Sequence, residues 1–402
     1  MDGSYSAGNF PVIPDSEFAQ RMHRFKEKMA EQNIDLVVAF STLLDPSPVR
    51  YFSDFSAINE SAAMLIPLEG DPMLCSGQAC QFWAEHKSKI SDIRILPEVG
   101  EVAGTEYEVG DQLSFATLFE EVREKYRINR IGTVGTLTFP AIIYNQIQSV
   151  FPSAEMVNAE GLLYELRATK SANEIACMRK AANLIDGAFE KVLDTLEVGM
   201  TELDIQAIIV SEVLRGGGED TAATWAPMIP SGAAHSKLCM NRSTLRQVQE
   251  GEIICLQAGA LYEGYNAPVC YPMVLGTVPE HIRSAVQVGS DAVQIVLEHL
   301  RPGATSREVN DAGRGFLEQA GYAGYSPYGL IHTTGLLECE SPWLPVDRDL
   351  EITEGMTVAI DMFFFNLDWG SFRIEDTVAI TGDGHDRLTK FNEKHLDRIT
   401  GG

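Results

Sequence analysis

The pattern of apolar and polar positions divides the first third of the chain into helices and short strands. Residues 15–33 predict a helix with one buried face, formed by Phe18, Met22, Phe25 and Met29, and with Asp15 or Ser16 as its N-terminal cap. Apolar runs bounded by turn residues predict buried strands at 34–40, 62–68 and 129–135, and further helices are expected near 112–125 and 138–149. This alternation indicates an α/β domain.

A polar break at Lys170-Ser171 precedes a second, longer helical pattern. Its apolar residues recur on one side of the helix, at Ile175, Met178, Ala182, Ile185 and Phe189. We therefore place a domain boundary near residue 168, with one domain over 1–167 and the other over 168–402.

Two stretches of the second domain are similar to each other. Each has the pattern L-x-x-G-x-T-x-x-(D/E), then an apolar helix and a glycine, with Thr201 and Thr305 placed as helix caps. Capped helices can look alike by chance, but strand-rich sequence follows both copies, which favours a duplicated helix-plus-hairpin half. The stretches are 196–218 and 300–322, and the strand-rich parts are 221–276 and 328–381.

The charge of the chain limits its partners. The 402 residues include 31 Lys and Arg against 57 Asp and Glu, a net charge of −26, and no basic run occurs. Binding to nucleic acid or to an anionic membrane surface is therefore not expected, and a neutral or cationic small molecule fits better. The N-terminus lacks a signal-peptide pattern and no segment approaches the ~20 apolar residues of a membrane span, so we expect a cytoplasmic protein.

Cysteine usage gives no evidence of a disulfide framework. The seven cysteines are an odd number and show no CxxC spacing, so buried thiols are expected rather than disulfides or a structural zinc site.

Ionisable residues of the second domain occur in an ordered set of motifs. His235 lies in PSGAAHSKLC, a hairpin follows at 254–276 with its turn at Glu263-Gly264, His332 lies in GLIHTTG, and Asp361 and Glu375 lie in AIDMF and RIEDTV. This order resembles the pita-bread superfamily of methionine aminopeptidase, prolidase and creatinase. The resemblance covers the whole chain. It implies a creatinase-like N-terminal α/β domain followed by a pita-bread domain with pseudo-twofold duplicated halves.

In metal-dependent members of that superfamily, two cations are bound by two hairpin aspartates, a histidine and two glutamates. The corresponding positions here are Gln257, Pro268, His332, Asp361 and Glu375. Glutamine is neutral and proline offers no side-chain ligand, whereas two divalent ions bring about four positive charges that need bridging carboxylates. We therefore expect no two-metal site and no cofactor. A single ion on His332, Asp361 and Glu375 is the alternative.

The metal-free branch, which includes creatinase, is the closer resemblance, and it implies a metal-independent hydrolase that cleaves a C–N bond of a small amidine, guanidine or similar nitrogen-rich compound. His235 would act as acid and base, because an imidazole can both donate and accept a proton near neutral pH. His332 would orient or polarise the scissile group. The alternative for each histidine is a structural hydrogen bond.

The remaining site residues follow from the same resemblance. Asp361 and Glu375 would bind the cationic group of a substrate, because unpaired carboxylates are costly to bury; a pair with Arg373 is the alternative. Cys270 stands where creatinase has a substrate-binding glutamate, so it is a nucleophile, a substrate contact or packing. Gln257 is a further expected substrate contact.

The segment RYFSDFSAINESAAMLI resembles the creatinase segment that reaches into the partner's site, which implies a homodimer with shared sites. Glu60 lies where creatinase has a carboxylate-binding arginine, and Trp343 lies near the place of a second one, so both are expected to contact a cationic or neutral substrate.

Other functions stay open. The enzyme alternatives are a divergent metal-dependent Xaa-Pro peptidase and a lyase related to dimethylsulfoniopropionate-cleaving enzymes. The last alternative is a non-catalytic binding protein, against which the retained histidines and carboxylates argue.

Overall fold

The computed structural model describes residues 10–101, 113–221 and 226–401. The chain forms two compact units: Ile13–Arg167, and Ala168–Gly402 together with the residues before Ile13. No helix within the described ranges is both long enough and apolar enough to cross a membrane.

The first unit is built on a six-stranded mixed sheet in the order β4-β3-β2-β1-β5-β6. Its strands are Leu36–Ser41 (β1), Ala62–Pro67 (β2), Met73–Ser76 (β3), Asp92–Ile95 (β4), Arg130–Val134 (β5) and Glu155–Asn158 (β6). Its helices are Asp15–Glu31 (α1), Ser47–Ser53 (α2), Gln81–Lys87 (α3), Phe115–Lys125 (α4), Ala141–Val150 (α5) and Glu160–Ala168 (α6). All elements predicted for this region are present within a few residues of the expected bounds, although position 112 of one predicted helix lies outside the described residues.

Helix α1 differs from its prediction in two details. Its N-cap is Pro14, with no side-chain cap, so neither of the two predicted residues caps the helix. On its buried face Arg21 takes the place of Met22. The Arg21 guanidinium can be buried because it donates to the carbonyl oxygen of Tyr51 at 3.0 Å.

The second unit places two hairpins in one sheet, in the order β7-β8-β11-β10-β9, with β12 beside β11. Its strands are Ile253–Tyr262 (β7), Tyr265–Val274 (β8), Ile331–Thr333 (β9), Thr357–Leu367 (β10), Gly370–Thr381 (β11) and Gly384–Arg387 (β12). Its helices are Ala172–Thr195 (α7), Glu202–Arg215 (α8), Gly232–His235 (α9), Glu280–His299 (α10), Ser306–Gln319 (α11), Phe391–His395 (α12) and Asp397–Thr400 (α13).

The two halves of this unit repeat the same plan of capped helix followed by hairpin. The predicted caps are confirmed: Thr201 accepts from the backbone N–H of Asp204 at the start of α8, and Thr305 accepts from that of Glu308 at the start of α11. Strands β8 and β11 pair antiparallel and join the two hairpins at the centre of the sheet. The pita-bread architecture with duplicated halves is therefore present.

The first hairpin turns where the sequence predicts. Glu263 and Gly264 have φ values of 47° and 82°, and residues Tyr262 and Tyr265 on either side face each other. Two consecutive left-handed residues make a tight turn whose twist matches that of the strands. This turn fixes the register of β7 against β8, and the register decides which side chains meet.

Candidate active site

One row of residues crosses the middle of the sheet of the second unit. Gln257 on β7 lies opposite Cys270 on β8, Cys270 lies opposite Glu375 on β11, and Glu375 lies opposite Asp361 on β10. Residues that are directly opposite project from the same face of a sheet. The row therefore brings four of the predicted site residues together on one face.

Residues two positions away on each strand share this face, because side chains alternate along a strand. Pro268 is two residues before Cys270, and Arg373 is two residues before Glu375. His332 lies opposite Ala359, two residues before Asp361 on β10.

The guanidinium of Arg373 lies in the middle of this face. Its Nε and Nη2 donate to the two carboxylate oxygens of Asp361 at 2.5 and 2.7 Å, while Nη2 is 3.1 Å from Glu375 Oε2. The ring of Phe363 lies 4.3 Å from the guanidinium carbon. The pairing of Asp361 with Arg373, which the sequence left as an alternative, is the arrangement present. A bound cation is therefore not required to neutralise Asp361.

Glu338 is a member of this cluster that sequence reasoning missed. Its Oε1 lies 3.5 Å from Arg373 Nη2 and 3.8 Å from His332 Nε2, with 12% of the side chain exposed. The only sequence signal was the repeated acid in LLECE after the histidine motif. The loop that carries Glu338 is anchored by a buried ion pair at 2.6 Å between Lys170 and Glu340.

His332 is held with one defined nitrogen toward the carboxylates. Its Nδ1 is 3.1 Å from the carbonyl oxygen of Thr333, which can only accept, so Nδ1 carries the proton. Its Nε2 lies 3.6 Å from Glu375 Oε1. Burial lowers the pKa of His332, but Cys339 and the carboxylates of Glu375 and Glu338 outweigh burial and raise it well above its usual value.

Trp343 covers this histidine. The two rings are parallel, with centroids 5.6 Å apart and an interplanar angle of 12°. The indole is itself 48% exposed, so it forms the boundary between His332 and solvent. Contact between Trp343 and a substrate stays a prediction.

The two carboxylates of the row titrate differently. Burial raises the pKa of Asp361 to about 6 against the effect of Arg373, and the neighbouring Glu375 adds to the increase. Glu375 is buried as well, but Arg373 and His332 lower its pKa. Glu375 Oε2 accepts from Cys270 Sγ at 3.0 Å, whereas Oε1 is buried and has no hydrogen-bond partner in the described part of the chain. An unfilled acceptor thus faces His332.

Cys270 is completely buried. Burial raises the pKa of its thiol well above the usual value, although Arg373 opposes this. Because the thiolate is the nucleophilic form, this environment disfavours nucleophilic attack and favours a role as a hydrogen-bond donor to Glu375.

His235 lies at the end of α9 and is oriented by a residue that the sequence did not reveal. Its Nδ1 is 2.8 Å from Oε1 of Glu202, which is fully buried at the start of α8. Glu202 also accepts from the backbone N–H and hydroxyl groups of Ser231 and Thr244. These contacts place the His235 proton on Nδ1 and leave Nε2 for proton exchange. The signal for Glu202 was an acid directly after the Thr201 cap.

Two further predicted contacts are already used within the fold. The side-chain amide of Gln257 donates to the carbonyl oxygen of Cys239, and its buried Oε1 has no partner among the described residues. Glu60 lies in the other unit, where its carboxylate accepts from the backbone N–H of Ala79 and Cys80 at 3.2 and 2.9 Å. It is not part of the cluster, and its contact with a substrate stays a prediction.

Comparison with known proteins identifies the family. The profile of metallopeptidase family M24 matches residues 176–382, and the creatinase/prolidase N-terminal domain matches 21–169. The chain belongs to metallopeptidase family M24. The expectation of a hydrolase agrees with membership of M24.

Similar M24 proteins include dipeptidases. The Xaa-Pro dipeptidase of Pyrococcus furiosus is 26% identical over 383 residues, which cover 94% of this chain and 99% of that protein. A probable dipeptidase PepE of Mycobacterium bovis is 30% identical over 57% of this chain and 60% of its own length. The crystal structure of the prolidase from Pyrococcus horikoshii has a TM-score of 0.78 at 23% identity and covers 92% of this chain and 98% of that one.

These relatives overturn one expectation. The metal-independent creatinase-type hydrolase predicted from the sequence was wrong, because the similar M24 proteins are Xaa-Pro dipeptidases, an activity kept above only as an alternative. The prediction weighed two changed hairpin positions more heavily than the rest of the chain. The residues at those two positions indicate which side chains the site contains, and they do not indicate to which proteins the whole chain is related.

The side chains nevertheless do not fit the two-metal centre of other M24 enzymes. Gln257 and Pro268 occupy the two hairpin aspartate positions, and Asp361 is already paired through both oxygens with Arg373. Two divalent ions would need several bridging carboxylates that these residues do not supply. The site therefore lacks the ligands for catalysis by two metal ions.

Proposed function

We propose that this protein is a peptidase that hydrolyses the amide C–N bond of a small peptide, as the similar Xaa-Pro dipeptidases do according to their names. The observation that carries the proposal is the buried cluster of His332, Glu338 and Glu375 beside the Asp361–Arg373 pair. Asp361 and Glu375 of this cluster belong to the row that crosses the two hairpins, and His332 lies on the neighbouring strand β9.

The charge of this cluster suits a substrate with a free amino group. Three carboxylates surround one guanidinium, so the face has an excess of negative charge. The ammonium group of a dipeptide would be attracted to this face, because opposite charges interact strongly where little water is present. A substrate with a cationic group is also what the charge of the whole chain favours.

His235 is the group proposed to move the proton. Hydrolysis of an amide requires a proton on the leaving nitrogen and removal of one from the attacking water. The bond from Nδ1 to Glu202 fixes the tautomer, so His235 would exchange both protons through Nε2. Glu202 acts through His235 and is therefore a positioning residue.

A homodimer is also proposed for this enzyme. Ile58, in the segment that resembles the partner-contacting segment of creatinase, is 69% exposed, and Phe82, outside that segment in the same unit, is 81% exposed; large apolar side chains at a surface commonly mark interfaces. Sedimentation equilibrium of the full chain should give a dimer. A mass of 44.2 kDa at every concentration would contradict it.

The proposed activity is tested with a panel of dipeptides. The purified full chain is incubated with Xaa-Pro and Xaa-Ala dipeptides, with creatine as comparison, in the presence of manganese, zinc or cobalt ions, and free amino acids are separated and quantified. We expect release of amino acids from at least one dipeptide and no cleavage of creatine. Glu375→Gln should abolish the release, and Glu197→Gln, at an exposed position of the same unit, serves as the matched control. The proposal would be contradicted if none of the dipeptides were cleaved with any of the three ions.

A further inference from the structure

We infer that Arg246 is a positioning residue for His235. Its guanidinium reaches the histidine through two buried groups, the hydroxyl of Ser231 and the carboxylate of Glu202. Arg246 lies in the segment between α9 and β7. The inference rests on the proton exchange that the proposed function assigns to His235, and it adds a residue that determines how this histidine is held.

One chain of hydrogen bonds joins the guanidinium to the imidazole. Nη1 of Arg246 donates to Oγ of Ser231 at 2.6 Å, and this hydroxyl donates to Oε1 of Glu202 at 2.7 Å. The same oxygen of Glu202 is 2.8 Å from Nδ1 of His235. Ser231 and Glu202 are fully buried, so water does not compete for the bonds between them.

The chemistry of the four groups gives this chain one direction. A guanidinium can only donate, so the hydroxyl of Ser231 accepts from Arg246 and turns its own hydrogen toward Glu202. A carboxylate can only accept, so Nδ1 of His235 has to be the donor. The tautomer of the histidine is therefore set by a chain that begins at Arg246.

The backbone of Arg246 also contacts Glu202. The N–H of Glu202 donates to the carbonyl oxygen of Arg246 at 3.0 Å. The N–H of Arg246 donates at 3.2 Å to the hydroxyl of Thr244, which donates to Oε2 of Glu202 at 2.8 Å. The main chain thus places the start of the Arg246 side chain beside Glu202, and the guanidinium reaches Ser231 from there.

An ion pair fixes the guanidinium itself. Nη1 and Nη2 of Arg246 donate to the two carboxylate oxygens of Glu252 at 2.5 and 2.6 Å. These hydrogen bonds raise the pKa of Arg246, and the charge of Glu202 adds to the increase, although burial opposes it. A bidentate pair of this kind holds the planar guanidinium in one orientation. Arg246 therefore keeps the charge and the geometry that the chain requires.

The same ion pair explains the glycine of the PSGAAH motif. Gly232 is the first residue of α9 and His235 is the last. A Cβ atom at position 232 would overlap Nη2 of Arg246 and lie 2.6 Å from Oε2 of Glu252, so a side chain there would have to displace the ion pair. Gly232 also has a φ of 67°, which glycine adopts most readily. The turn that carries His235 therefore packs directly on the ion pair.

Nitrogen NMR of the full chain with labelled histidine tests the inference without a substrate. His235 is assigned by comparison with His235→Gln. In the wild type we expect its proton on Nδ1 only. Arg246→Met keeps an unbranched stem but removes the donors, so a share of the Nε2–H tautomer should become detectable. Arg215→Met, at a 77% exposed position on α8, is the matched control and should give the wild-type spectrum.

The kinetic measurement uses a dipeptide that the wild type cleaves. Arg246→Met should lower kcat about threefold to tenfold with KM nearly unchanged, because one hydrogen bond of the chain is lost. In a Glu202→Gln background the same substitution should lower kcat by less than about twofold, because Arg246 acts through Glu202. Equal losses in the two backgrounds would show that Arg246 acts independently of Glu202 and would overturn the inference.

Two results of the NMR measurement would also overturn it. One is a wild-type spectrum with the His235 proton on Nε2, which needs no variant. The other is an unchanged His235 signal in Arg246→Met with wild-type circular dichroism. If that variant does not fold, Ser231→Ala removes the same link and the same change is expected. If the signals change as expected but no dipeptide is cleaved, the proposed function fails and the inference about the orientation of His235 holds.

Discussion

The two hairpins of the M24 unit are both antiparallel and lie in one sheet, but they present different chemistry. In the row that crosses them, β7 and β8 present the neutral Gln257 and Cys270, whereas β10 and β11 present Asp361 and Glu375, with Arg373 alongside. The first half has no charged residue in this row, but it contains His235, whose Nδ1 is held by Glu202 of the same half. The difference teaches that duplicated halves can differ in what they contribute: the second half carries the charged cluster, and the first half carries the oriented histidine to which we assign proton exchange in the proposed function.

The largest expected effect comes from breaking the charged pair of the second hairpin. Asp361→Ala leaves the buried Arg373 without its bidentate partner, so the free energy of unfolding should fall by about 3–5 kcal/mol. Gln257→Ala in the first hairpin should cost only about 1–2 kcal/mol, because a neutral hydrogen bond is lost. Urea unfolding at pH 7 measures both. Equal losses from the two substitutions would show that the hairpins do not differ as described.

The second prediction tests the contribution of the first half. His235→Gln should lower kcat for dipeptide hydrolysis about 100-fold, the lower end of the range for general acid–base catalysis. Glu202→Gln should lower kcat about tenfold with KM within about twofold, since Glu202 orients His235 without touching the substrate. Nitrogen NMR of labelled histidine should place the His235 proton on Nδ1 only in the wild type. The exposed His281→Gln serves as control, and a rise in KM without loss of kcat would contradict both roles.

The third prediction concerns the pH dependence of the free energy of unfolding that comes from Asp186, a buried carboxylate outside both hairpins. Burial raises the pKa of Asp186 on α7 to about 7, although the backbone N–H of Lys390 donates to it. Because the folded-state pKa exceeds that of the unfolded chain, protonation of Asp186 stabilises the fold below about pH 4, and this contribution is lost as the pH rises through about 7.

Asp186→Asn should remove this dependence. Between pH 5 and pH 8, the free energy of unfolding should fall by roughly 2–4 kcal/mol more in the wild type than in the variant. Chemical unfolding at several pH values measures the difference. Parallel curves for the two proteins would assign the pH response to other groups, including those of the second hairpin.

The smallest effect is expected at Cys270, at the boundary between the two hairpins. Its buried thiol donates to Glu375, and a serine hydroxyl can make the same bond, so Cys270→Ser should change kcat by less than about threefold. Iodoacetamide at pH 8 should label Cys270 only after unfolding, because burial raises the pKa of the thiol. A loss of more than 100-fold in the serine variant would indicate a nucleophilic cysteine.

Local features of the fold could be predicted from the sequence because they depend on neighbouring residues. The turn at Glu263-Gly264 and the caps Thr201 and Thr305 are examples. Motif order was sufficient to bring His332, Asp361 and Glu375 together. In each case the residues that determine the feature are either adjacent in the sequence or belong to motifs whose order resembles that of the pita-bread superfamily.

Long-range pairings were not predictable in the same way. Glu202 reaches His235 across 33 positions, and nothing near either residue indicates the contact. The pairing of Arg373 with Asp361 depends on the register of β10 against β11, in which the two residues are diagonal neighbours. A shift of one residue would have placed the guanidinium on the other face of the sheet.

The row that joins β7, β8, β11 and β10 is set by main-chain hydrogen bonds and not by the side chains it displays. Substitutions at positions 257 and 268 therefore change the chemistry of the site without rebuilding the fold around it. In evolutionary terms, the backbone fold can be conserved while the side chains that would bind metal ions change. A protein that changes these two positions keeps the family's fold while the ligands offered to a metal change, and restoring the two aspartates would require new side chains but no new backbone.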